Sequence, residues 1–574
     1  MSRPRTAARQ RRLAARDTTA RDTAAADREL APAGMRLTPD SGTRLVAGGS
    51  VLVGGSPVRV LRLTQGGARQ VAAWFAGEPV PPGTGARALA RRLLDAGIAH
   101  PDFVAPGGLP DDAGTTAARP GGADPAEAAA ARDAPRSPAK ADVTVVIPVR
   151  DRHAELARCL SGLRDLPHVI VVDDASADPL AIKRIAAEGG AAVIRRPVNG
   201  GPGAARNTGL NAANTELVAF LDSDCVPRPG WLEGLLPHFT DPAAGAVAPR
   251  IVPHEEGTGW LARYEGASST LDMGARPSIV RPGARTSYVP GAALVVRRAA
   301  AGDGFRERMY VGEDVDFVWR LSAAGWRVRY EPAAVMGHDH RVRFRAWFTR
   351  RADYGTSAAI LEQLHPGSVR PLYVSWWTAG AWTAALSGRP VTAAALTAAA
   401  TALLARRLSR VTGERWPLPF PIPDAGAHPD SSSWTRTAPQ HSPSSPTSDN
   451  SSKRSQLAGS RGSAAWRLAI ALAGGGTIAA ARPLGSAVSR TWWPVAVPAA
   501  LAVKKLRLPV AALILAPPLL DWAGRRPPLD PVRYVAARLL DDAAYSLGVW
   551  QGCLARRTIR PLLPVIGGKR QPPG

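Results

Sequence analysis

Apolar runs and amphipathic segments alternate regularly between residues 141 and 224. The runs DVTVVIPV, HVIVVDD, AAVIRR and ELVAFLDSD are almost continuously apolar, as expected of strands that are covered on both faces. Between them, the segments AELARCLSGLRDL, PLAIKRIAAEGG and GPGAARNTGLNAA are predicted helices. This alternation predicts an α/β fold with a mostly parallel sheet between two layers of helices. Ligands of such sheets bind beyond the carboxyl ends of the strands, so we expect the functional residues there.

Residues 37–103 show a different pattern. The short β-branched runs RLVAGG, SVLVGG and PVRVLRLT are separated by Gly-Gly, which predicts a β-meander with tight turns. Two predicted helices follow, with apolar faces formed by Val71, Trp74 and Phe75 in the first and by Leu89, Leu93, Leu94 and Ile98 in the second. We expect a small module of three strands and two helices, followed by a 104–140 linker rich in Pro, Gly and Ala. Before the module, an Arg/Ala tail over 1–36 is expected to be disordered.

The last part of the chain contains two apolar helical regions, 346–420 and 464–574, on either side of a Ser/Pro-rich linker over 421–463 that is expected to be disordered. No apolar run in these regions reaches the roughly 18–20 uninterrupted residues of a membrane span. Three alternatives remain open: helices that pack on the α/β unit, helices on a membrane surface, and true spans. Lys504 and Lys505 beside an apolar run favour the membrane surface.

Charge and cysteine content narrow the classes of partner. The 574-residue chain has a formal charge of +25, which suits nucleic acid or an anionic membrane. However, only six of its 72 basic residues are lysine, and no basic block is interleaved with aromatic residues, so we expect no nucleic-acid binding. Three cysteines form no paired framework and favour a reducing compartment. The first 30 residues lack the apolar core of a secretory signal, so we expect a cytoplasmic protein, associated with the inner face of the cell membrane.

A pair of carboxylates follows the fourth predicted strand, in the segment AFLDSDCV. Asp222 and Asp224 would repel each other at the mouth of a buried strand unless a cation lay between them. Carboxylate oxygens suit Mg²⁺ or Mn²⁺ bridging a diphosphate, so these residues are candidate metal ligands. His338 and His340 lie just past a later predicted strand, and one of them could add a nitrogen ligand, although both could equally be surface histidines.

Two further acidic pairs stand at the ends of predicted elements. Asp173 and Asp174 end the second strand, where they could accept hydrogen bonds from a base or a ribose, or merely cap the next helix. Glu313 and Asp314 begin the amphipathic helix GEDVDFVWRLSAAGW, where the helix dipole favours the ionised form. A carboxylate in that position is a candidate general base for a hydroxyl, and simple capping is the alternative.

A glycine-rich helix start, NGGPGAARNTGL, offers free backbone N–H groups and a following arginine at residues 199–210. It is not a Walker motif, since no Gly-Lys-Ser/Thr follows. By itself this segment has many possible uses.

In their order along the chain, these motifs resemble the inverting family 2 glycosyltransferases with the GT-A fold. The resemblance rests on VVIPVRDR, VVDDAS, NGGPGAARNTGL, FLDSD, VPGAALVVRR, GFRERMYVGEDVDFVWRL and the HDH segment, and covers roughly residues 141–345. It implies a nucleotide-sugar donor. The Gln-x-x-Arg-Trp signature of processive synthases is absent from the sequence.

The resemblance also implies a role for particular residues. The implied donor-binding residues are Pro148, Arg150, Asp173, Asp174, Asn199, Gly201, Arg206, Asn207 and Asp222. The implied ligands of Mg²⁺ or Mn²⁺ are Asp222, Asp224 and His338, and the implied catalytic residues are Asp314, as the base, and Glu313. The residues expected to contact the acceptor or phosphates are Gly291, Ala292, Arg350 and Arg351, with Tyr354 in the same segment.

The first module narrows the resemblance further. RLVAGGSVLVGGSPVRVLRLTQGGA, joined to a unit that starts PVRDR, is similar to the mycofactocin-system glycosyltransferases of actinobacteria, and the module is similar to PqqD-type peptide-recognition domains. This implies transfer of glucose from UDP-glucose, as β-1,4-linked units, to a peptide-derived redox-cofactor precursor. A cell-wall or polyprenyl-phosphate glycosyltransferase is the alternative enzyme, and a peptide-binding scaffold with a degenerate sugar site is the alternative outside catalysis.

Overall fold

The computed structural model describes residues 28–46, 48–103, 137–255, 257–412 and 465–567. Residues 1–27 of the predicted Arg/Ala tail (1–36), most of the 104–140 linker and the Ser/Pro linker over 421–463 lie outside the described residues. Residues 28–36 of that tail are described, and Ala31 and Met35 are buried, so the expectation of disorder is wrong for this part. The structure consists of the N-terminal module, a large mixed sheet with its helices, and a set of C-terminal helices.

The N-terminal module contains the predicted meander and one strand pair that the sequence pattern did not indicate. Its elements are β1 (Arg36–Pro39), β2 (Arg44–Val46), β3 (Val51–Gly54), β4 (Arg59–Arg62), α1 (Gln65–Phe75), α2 (Thr84–Ala96) and β5 (Ala99–Asp102). Strands β2, β3 and β4 form an antiparallel meander, which confirms that prediction. Strand β1 pairs with β5 instead.

The prediction that Ile98 belongs to the second helix is wrong. Helix α2 ends at Ala96, and Gly97 follows with φ of 66°, a left-handed conformation that glycine adopts without strain. The chain therefore turns at Gly97, and the residues that follow Ile98 form β5. Ile98 is still fully buried, but as part of the turn into a strand.

Buried ion pairs join this module to the sheet. The guanidinium of Arg91 donates to both carboxylate oxygens of Asp241, at 2.8 and 2.7 Å, and both side chains are buried. Arg327 pairs with Asp95 at 2.9 Å in the same region. Because an unpaired buried charge is costly, these contacts fix the module against the sheet.

The large sheet has nine strands. They are β6 (Val143–Val149), β7 (Val169–Asp174), β8 (Ala192–Arg196), β9 (Leu217–Leu221), β10 (Cys225–Pro227), β11 (Ala244–Pro253), β12 (Ser278–Val280), β13 (Ala293–Arg297) and β14 (Arg327–His338). The order is β10-β14-β11-β13-β9-β6-β7-β8, with β12 paired to β14. The four strands predicted from the sequence are β6 to β9, and all of them are parallel neighbours as expected. The other half is mixed, because β13 runs antiparallel to both β9 and β11.

Helices cover both faces of this sheet, as predicted. They are α3 (His153–Ser161), α4 (Pro179–Glu188), α5 (Gly201–Ala212), α6 (Trp260–Ser268) and α7 (Glu313–Ala323). Successive residues of β6 enter different cores: Val145 and Ile147 belong to one buried cluster and Val146 to the other. The sheet is therefore buried on both sides, which leaves its strand ends as the place for polar chemistry.

The C-terminal helices are longer than the apolar runs predicted. They are α8 (Phe344–Leu364), α9 (Trp376–Leu386), α10 (Pro390–Thr412), α11 (Ala465–Ala502, with π turns at Ile470–Gly475 and Val488–Trp492), α12 (Lys504–Arg525) and α13 (Pro531–Ala555). Helix α12 continues through Pro517 and Pro518. A short parallel pair, β15 (Tyr373–Val374) and β16 (Val565–Ile566), links the two ends of this region.

Three of these helices are long and apolar enough to cross a membrane by length and composition: Pro390–Ser409, Ala465–Ala502 and Lys504–Arg525. Apolar side chains on them face outward, with Val391 81% and Leu508 80% exposed. By contrast, the end of α11 packs on α13, where Trp550 donates to the carbonyl of Thr491 at 2.8 Å.

Helices α8 and α13 cross at unusually short distance. A methyl group on Gly548 would lie 1.8 Å from the carbonyl oxygen of Ala352, and one on Gly355 would lie 2.1 Å from that of Tyr545. Gly552 makes a similar approach to Thr356. The absence of side chains at these three positions is what allows α13 to lie directly on α8.

Candidate functional site

The carboxyl end of β9 opens into a cavity of about 380 Å³. Nine residues predicted from the sequence line it: Arg206, Asp222, Asp224, Ala292, Glu313, Asp314, His338, Arg350 and Arg351. They come from six separate segments of the chain. These residues therefore lie together beside the end of β9, and their roles stay predictions.

One buried arginine connects two of the predicted acidic motifs. Arg206, on α5, donates to Asp222 at 2.6 Å and to Glu313 at 2.9 Å. Burial opposes its charge, but the nearby carboxylates of Asp222 and Glu313 hold the pKa of Arg206 well above its usual range. The arginine therefore remains charged and ties the start of α7 to the end of β9.

Glu313 is buried, whereas its neighbour is turned to the cavity. Burial raises the pKa of Glu313 to about 7, and the charge of Asp314 adds to this effect against the opposing attraction of Arg206. The carboxyl group is thus poised to titrate near neutral pH, as active-site acids often are.

Asp314 is held by backbone hydrogen bonds. One carboxylate oxygen accepts from the N–H of Gly291 at 2.8 Å, and the other accepts from the N–H of Val315 at 2.8 Å. A side chain at Gly291 would lie 2.9 Å from the Asp314 Cβ, so only glycine permits this approach. The predicted base is therefore fixed in orientation at the N-terminus of α7.

Asp224, just before β10, lies close to His338, the last residue of the neighbouring β14. Nε2 of His338 is 3.5 Å from a carboxylate oxygen of Asp224, and its Nδ1 is 3.0 Å from Nδ1 of His340. The other oxygen of Asp224 accepts a hydrogen bond from Arg152. Within the described residues, no three His, Cys, Asp or Glu side chains already converge as a metal site. Of the two histidines, His338 is the one directed at the acidic pair.

Asp173 and Asp174 are placed outside the cavity lining and are engaged by protein groups. Asp173 accepts from the backbone N–H of Ser176 at 2.9 Å and pairs with Arg195. Asp174 accepts from Arg196 at 2.9 Å and from the N–H of Gly201 at 2.8 Å. The alternative that they cap the helix PLAIKRI is wrong, since Asp178 caps it.

The remaining donor-binding candidates also lie off the cavity lining. Asn207 donates to the carbonyl of Phe305 at 2.8 Å and accepts from its N–H at 2.7 Å, which fixes a loop. Asn199 accepts from the N–H of Gly201 at 3.0 Å at the start of α5. Pro148, in β6, and Arg150, just after it, stand at the carboxyl end of their strand. For these residues, donor contact stays a prediction.

The two neighbouring arginines of α8 have different surroundings. Arg351 is buried and donates to Glu265 and, at 2.6 Å, to Thr270, while its Nε lies 3.1 Å from Asp541 of α13. Arg350 stacks on the ring of Tyr354 at 4.8 Å, and its Nε has no hydrogen-bond partner in the described part of the chain. Arg350 thus lies at the cavity wall with Tyr354, whereas Arg351 holds the helices together.

Sequence reasoning missed the part of the cavity wall that comes from the C-terminal helices. Arg490, on α11, and Tyr545, on α13, both line the cavity, as does Tyr288. No local motif marks them. They reach the site through the contact of α8 with α13, helices more than 150 positions apart in sequence. The sequence feature that could have predicted this contact is the set of glycines Gly355, Gly548 and Gly552.

Comparison with known proteins gives a consistent result. Glycosyl transferase family 2 matches residues 144–302. The pre-mycofactocin glycosyltransferase of Mycobacterium tuberculosis is 37% identical over 552 residues, covering 93% of this chain and 98% of that protein. The O-antigen chain rhamnosyltransferase RfbN of Salmonella typhimurium is 26% identical over 27% of this chain and 51% of its own.

Solved structures show more distant similarity. The mannosyltransferase PcManGT from Pyrobaculum calidifontis, in complex with GDP-Man and Mn²⁺, aligns with a TM-score of 0.31 and 23% identity, over 47% of this chain and 79% of that one. TarS of S. aureus in complex with UDP-GlcNAc aligns with a TM-score of 0.32 and 21% identity, over 39% and 66% of the two chains.

Proposed function

Because this chain belongs to the family 2 glycosyltransferases, with the pre-mycofactocin glycosyltransferase among its relatives, we propose that it acts in mycofactocin biosynthesis. The proposed reaction transfers glucose from UDP-glucose to a peptide-derived redox-cofactor precursor, with inversion at the anomeric carbon. The observation that carries it is the position of Asp314, fixed by the N–H of Gly291 beside the Asp222 and Asp224 pair.

The proposed base is Asp314. Its carboxylate accepts the proton of an acceptor hydroxyl, whose oxygen attacks the anomeric carbon of glucose while the bond to the UDP phosphate breaks. A single in-line displacement of this kind inverts the configuration. Glu313 lies next to the base, and its own charge is stabilised by Arg206. This arrangement lets Glu313 adjust the electrostatic environment of Asp314 without contacting the acceptor.

The residues at the end of β9 fit a hard divalent cation. Asp222, Asp224 and His338 provide two carboxylates and an imidazole facing one cavity, a donor set that suits Mg²⁺ or Mn²⁺. Such an ion supplies charge stabilisation to the departing diphosphate. Arg152, which binds Asp224 here, and Arg350, with its unpartnered Nε, are placed to bind phosphate oxygens at the same end of the sheet.

The N-terminal module supports a peptide-derived acceptor. Strand β4 is an edge strand that pairs only with β3 in the described meander, and an unpaired edge can add an extended peptide as a further strand. The competing interpretation is a stabilising cap, and the buried contact of Arg91 with Asp241 favours it. Both roles are compatible with one module, since the ion pair lies on α2 rather than on β4.

Association with the inner face of the cytoplasmic membrane is supported by the exposed apolar helices. The segment 341–345, which begins at the cavity, is both basic and apolar. Its residues Arg341, Arg343 and Arg345 alternate with the exposed side chains of Val342 and Phe344. Basic and apolar residues in one segment favour an anionic lipid surface. An apolar groove lined by Trp382, Trp466 and Ile478 favours the second candidate, a polyprenyl-phosphate acceptor.

The test uses the purified full-length protein in detergent with UDP-glucose. We expect glucose transfer to the mycofactocin precursor, loss of turnover with EDTA, and recovery when Mn²⁺ or Mg²⁺ is added. Transfer to a polyprenyl phosphate and not to the peptide-derived precursor would replace the proposed acceptor with the second candidate. Unchanged turnover in EDTA would overturn the metal assignment.

A further inference from the structure

One part of the cavity wall is aromatic and basic. Tyr288, Tyr354 and Tyr545 come from a loop, α8 and α13, and Arg490 comes from the second π turn of α11. Burial raises the pKa of Tyr288 to about 12, with a contribution from Tyr545. Asp314, Tyr354 and Arg490 are also close enough to Tyr288 to act on its ionisation. These groups therefore form one cluster around the proposed base.

Within this cluster, two guanidinium groups lie against tyrosine rings. Arg490 stacks on Tyr545 with its guanidinium carbon 4.5 Å from the ring centre, and Arg350 stacks on Tyr354 at 4.8 Å. Stacking of this kind orients a planar cation while leaving N–H groups at its edge available. Each arginine covers one face of its tyrosine ring, so each pair offers the cavity wall a single ring face together with the N–H groups at the edge of the guanidinium.

The charge of Arg490 is only partly balanced by the protein. Its nearest described carboxylate oxygen, on Asp542, is 3.6 Å away, beyond a normal hydrogen bond. Asp542 is shared with Arg538 at 3.5 Å and accepts a hydrogen bond from Ser489 at 2.6 Å. Arg490 therefore retains capacity for another anionic partner at the cavity surface.

These residues lie outside the segment that this chain shares with family 2 as a whole. That segment ends at residue 302, whereas Arg490 and Tyr545 lie about 190 and 240 positions beyond it. They reach the cavity because α13 lies directly on α8 through Gly355 and Gly548. Because this part of the wall lies outside the segment shared with family 2, we expect it to contact the acceptor rather than the nucleotide sugar.

We propose that Tyr545 and Arg490 form an acceptor subsite beside Asp314, in which Tyr545 stacks on a flat ring and Arg490 binds an anionic oxygen group of the same molecule. This inference rests on the proposed function, since it assigns an acceptor to that reaction. An aromatic or sugar ring presents the flat face, and a carboxylate presents two oxygens to the fork of a guanidinium. The subsite would select acceptors that carry both features.

Two matched probes test the subsite: 4-carboxyphenyl β-D-glucoside and its uncharged methyl ester. Each offers a flat ring and a glucose hydroxyl, and only the first carries an anion. Binding to the full-length protein in detergent is measured by calorimetry, and transfer from UDP-glucose is measured separately. We expect the wild-type protein to bind the carboxylate more tightly than the ester.

Arg490→Gln should weaken binding of the carboxylate by about ten-fold and leave the ester unchanged, because one charge-assisted contact is lost. Tyr545→Leu should weaken both probes by a few-fold, whereas Tyr545→Phe, which keeps the ring, should bind both as the wild type does. Arg533→Gln is the matched control, since this arginine is exposed on the same helix and pairs only with Asp530 among described residues.

The outcomes separate the subsite from the reaction. Equal binding of both probes by the wild-type protein and by Arg490→Gln, or no binding of either probe by the wild type, would overturn the subsite. Probe binding with the predicted variant effects but no glucose transfer would support the subsite and count against the proposed reaction. Because Arg490→Gln is compared on two probes, a general loss of folding would weaken both and cannot mimic the expected result.

Discussion

The two walls of the cavity differ in how the sequence encodes them. One wall is built from strand ends and from the N-terminus of α7, where Asp222, Asp224 and Asp314 each follow or begin a regular element. The other is built from α8, α11 and α13, whose contribution depends on contacts between segments far apart in the chain. In the proposed reaction, the first wall supplies the base and the metal ligands, and the second shapes the space for the acceptor.

The largest expected effect concerns the first wall. Asp314→Asn preserves size and keeps one of the two hydrogen bonds from Gly291 and Val315, because its amide has a single accepting oxygen. It removes the proton acceptor, so the transfer rate should fall by about 10²–10⁴-fold. Binding of UDP, measured by calorimetry, should change little. The control is Asp178→Asn, because either residue can cap α4. A variant within a few-fold of the wild-type rate would assign the base elsewhere, with Glu313 and Asp316 as the next candidates.

The second prediction concerns the wall formed by α8, α11 and α13, and its variant changes no polar side chain. In Gly548→Ala, the new methyl would meet the carbonyl of Ala352 at 1.8 Å, so α13 must move away from α8. We expect a loss of about 1–3 kcal/mol in the free energy of unfolding, measured by denaturant titration, together with weaker acceptor binding.

The control for that variant is Gly85→Ala, in α2, where the new methyl meets no atom within 4 Å. This change should be neutral or slightly stabilising. If the two variants are equally stable, α13 can move away from α8 without loss of stability. The second wall would then not depend on the close packing of these two helices.

The smallest effect is a pH dependence that distinguishes Glu313 from ordinary surface carboxylates. Its pKa is raised from 4.5 to about 7 by burial and by Asp314. Between these values the folded protein holds a proton that the unfolded chain has released, so stability falls as the pH rises from about 4.5 to about 7. Glu313→Gln should remove this dependence.

The measurement is the melting temperature of both proteins at several pH values across that range. Glu188→Gln serves as the control, since Glu188 is exposed on α4 and should leave the pH profile unchanged. Parallel profiles for the wild type and Glu313→Gln would show that Glu313 is ionised throughout.

The sequence was most informative where local pattern determines structure. Strands β6 to β9 follow from their apolar runs and α7 from its amphipathic pattern, and the acidic residues at their ends could be identified as candidates. The residues Arg490 and Tyr545 could not, because their position depends on how two helices pack. Similarly, Ile98 continued a helical pattern that Gly97 ends.

The contacts of Asp173 and Asp174 also could not be predicted from the sequence. Their place at the end of β7 follows from the sequence, but their partners do not. Arg195 and Arg196, on the neighbouring strand, occupy their carboxylates, and the adjacent α5 contributes the N–H of Gly201. A motif identifies which side chains stand at a strand end, whereas the register of the next strand decides what those side chains contact.

The close crossing of α8 and α13 also has a consequence for biosynthesis. Tyr545 lies 207 positions after His338, the last residue of the large sheet, so a ribosome makes the sheet well before this side chain can reach the cavity. At roughly 5–20 residues per second, the sheet and its carboxylates are made about 10–40 seconds earlier. During that interval the nascent protein has its acidic cluster without its second wall. The wall formed by α8, α11 and α13 is thus completed after the strand ends, and termination before α13 yields a chain that has the acidic residues of the cavity but lacks the part of the wall that Tyr545 contributes.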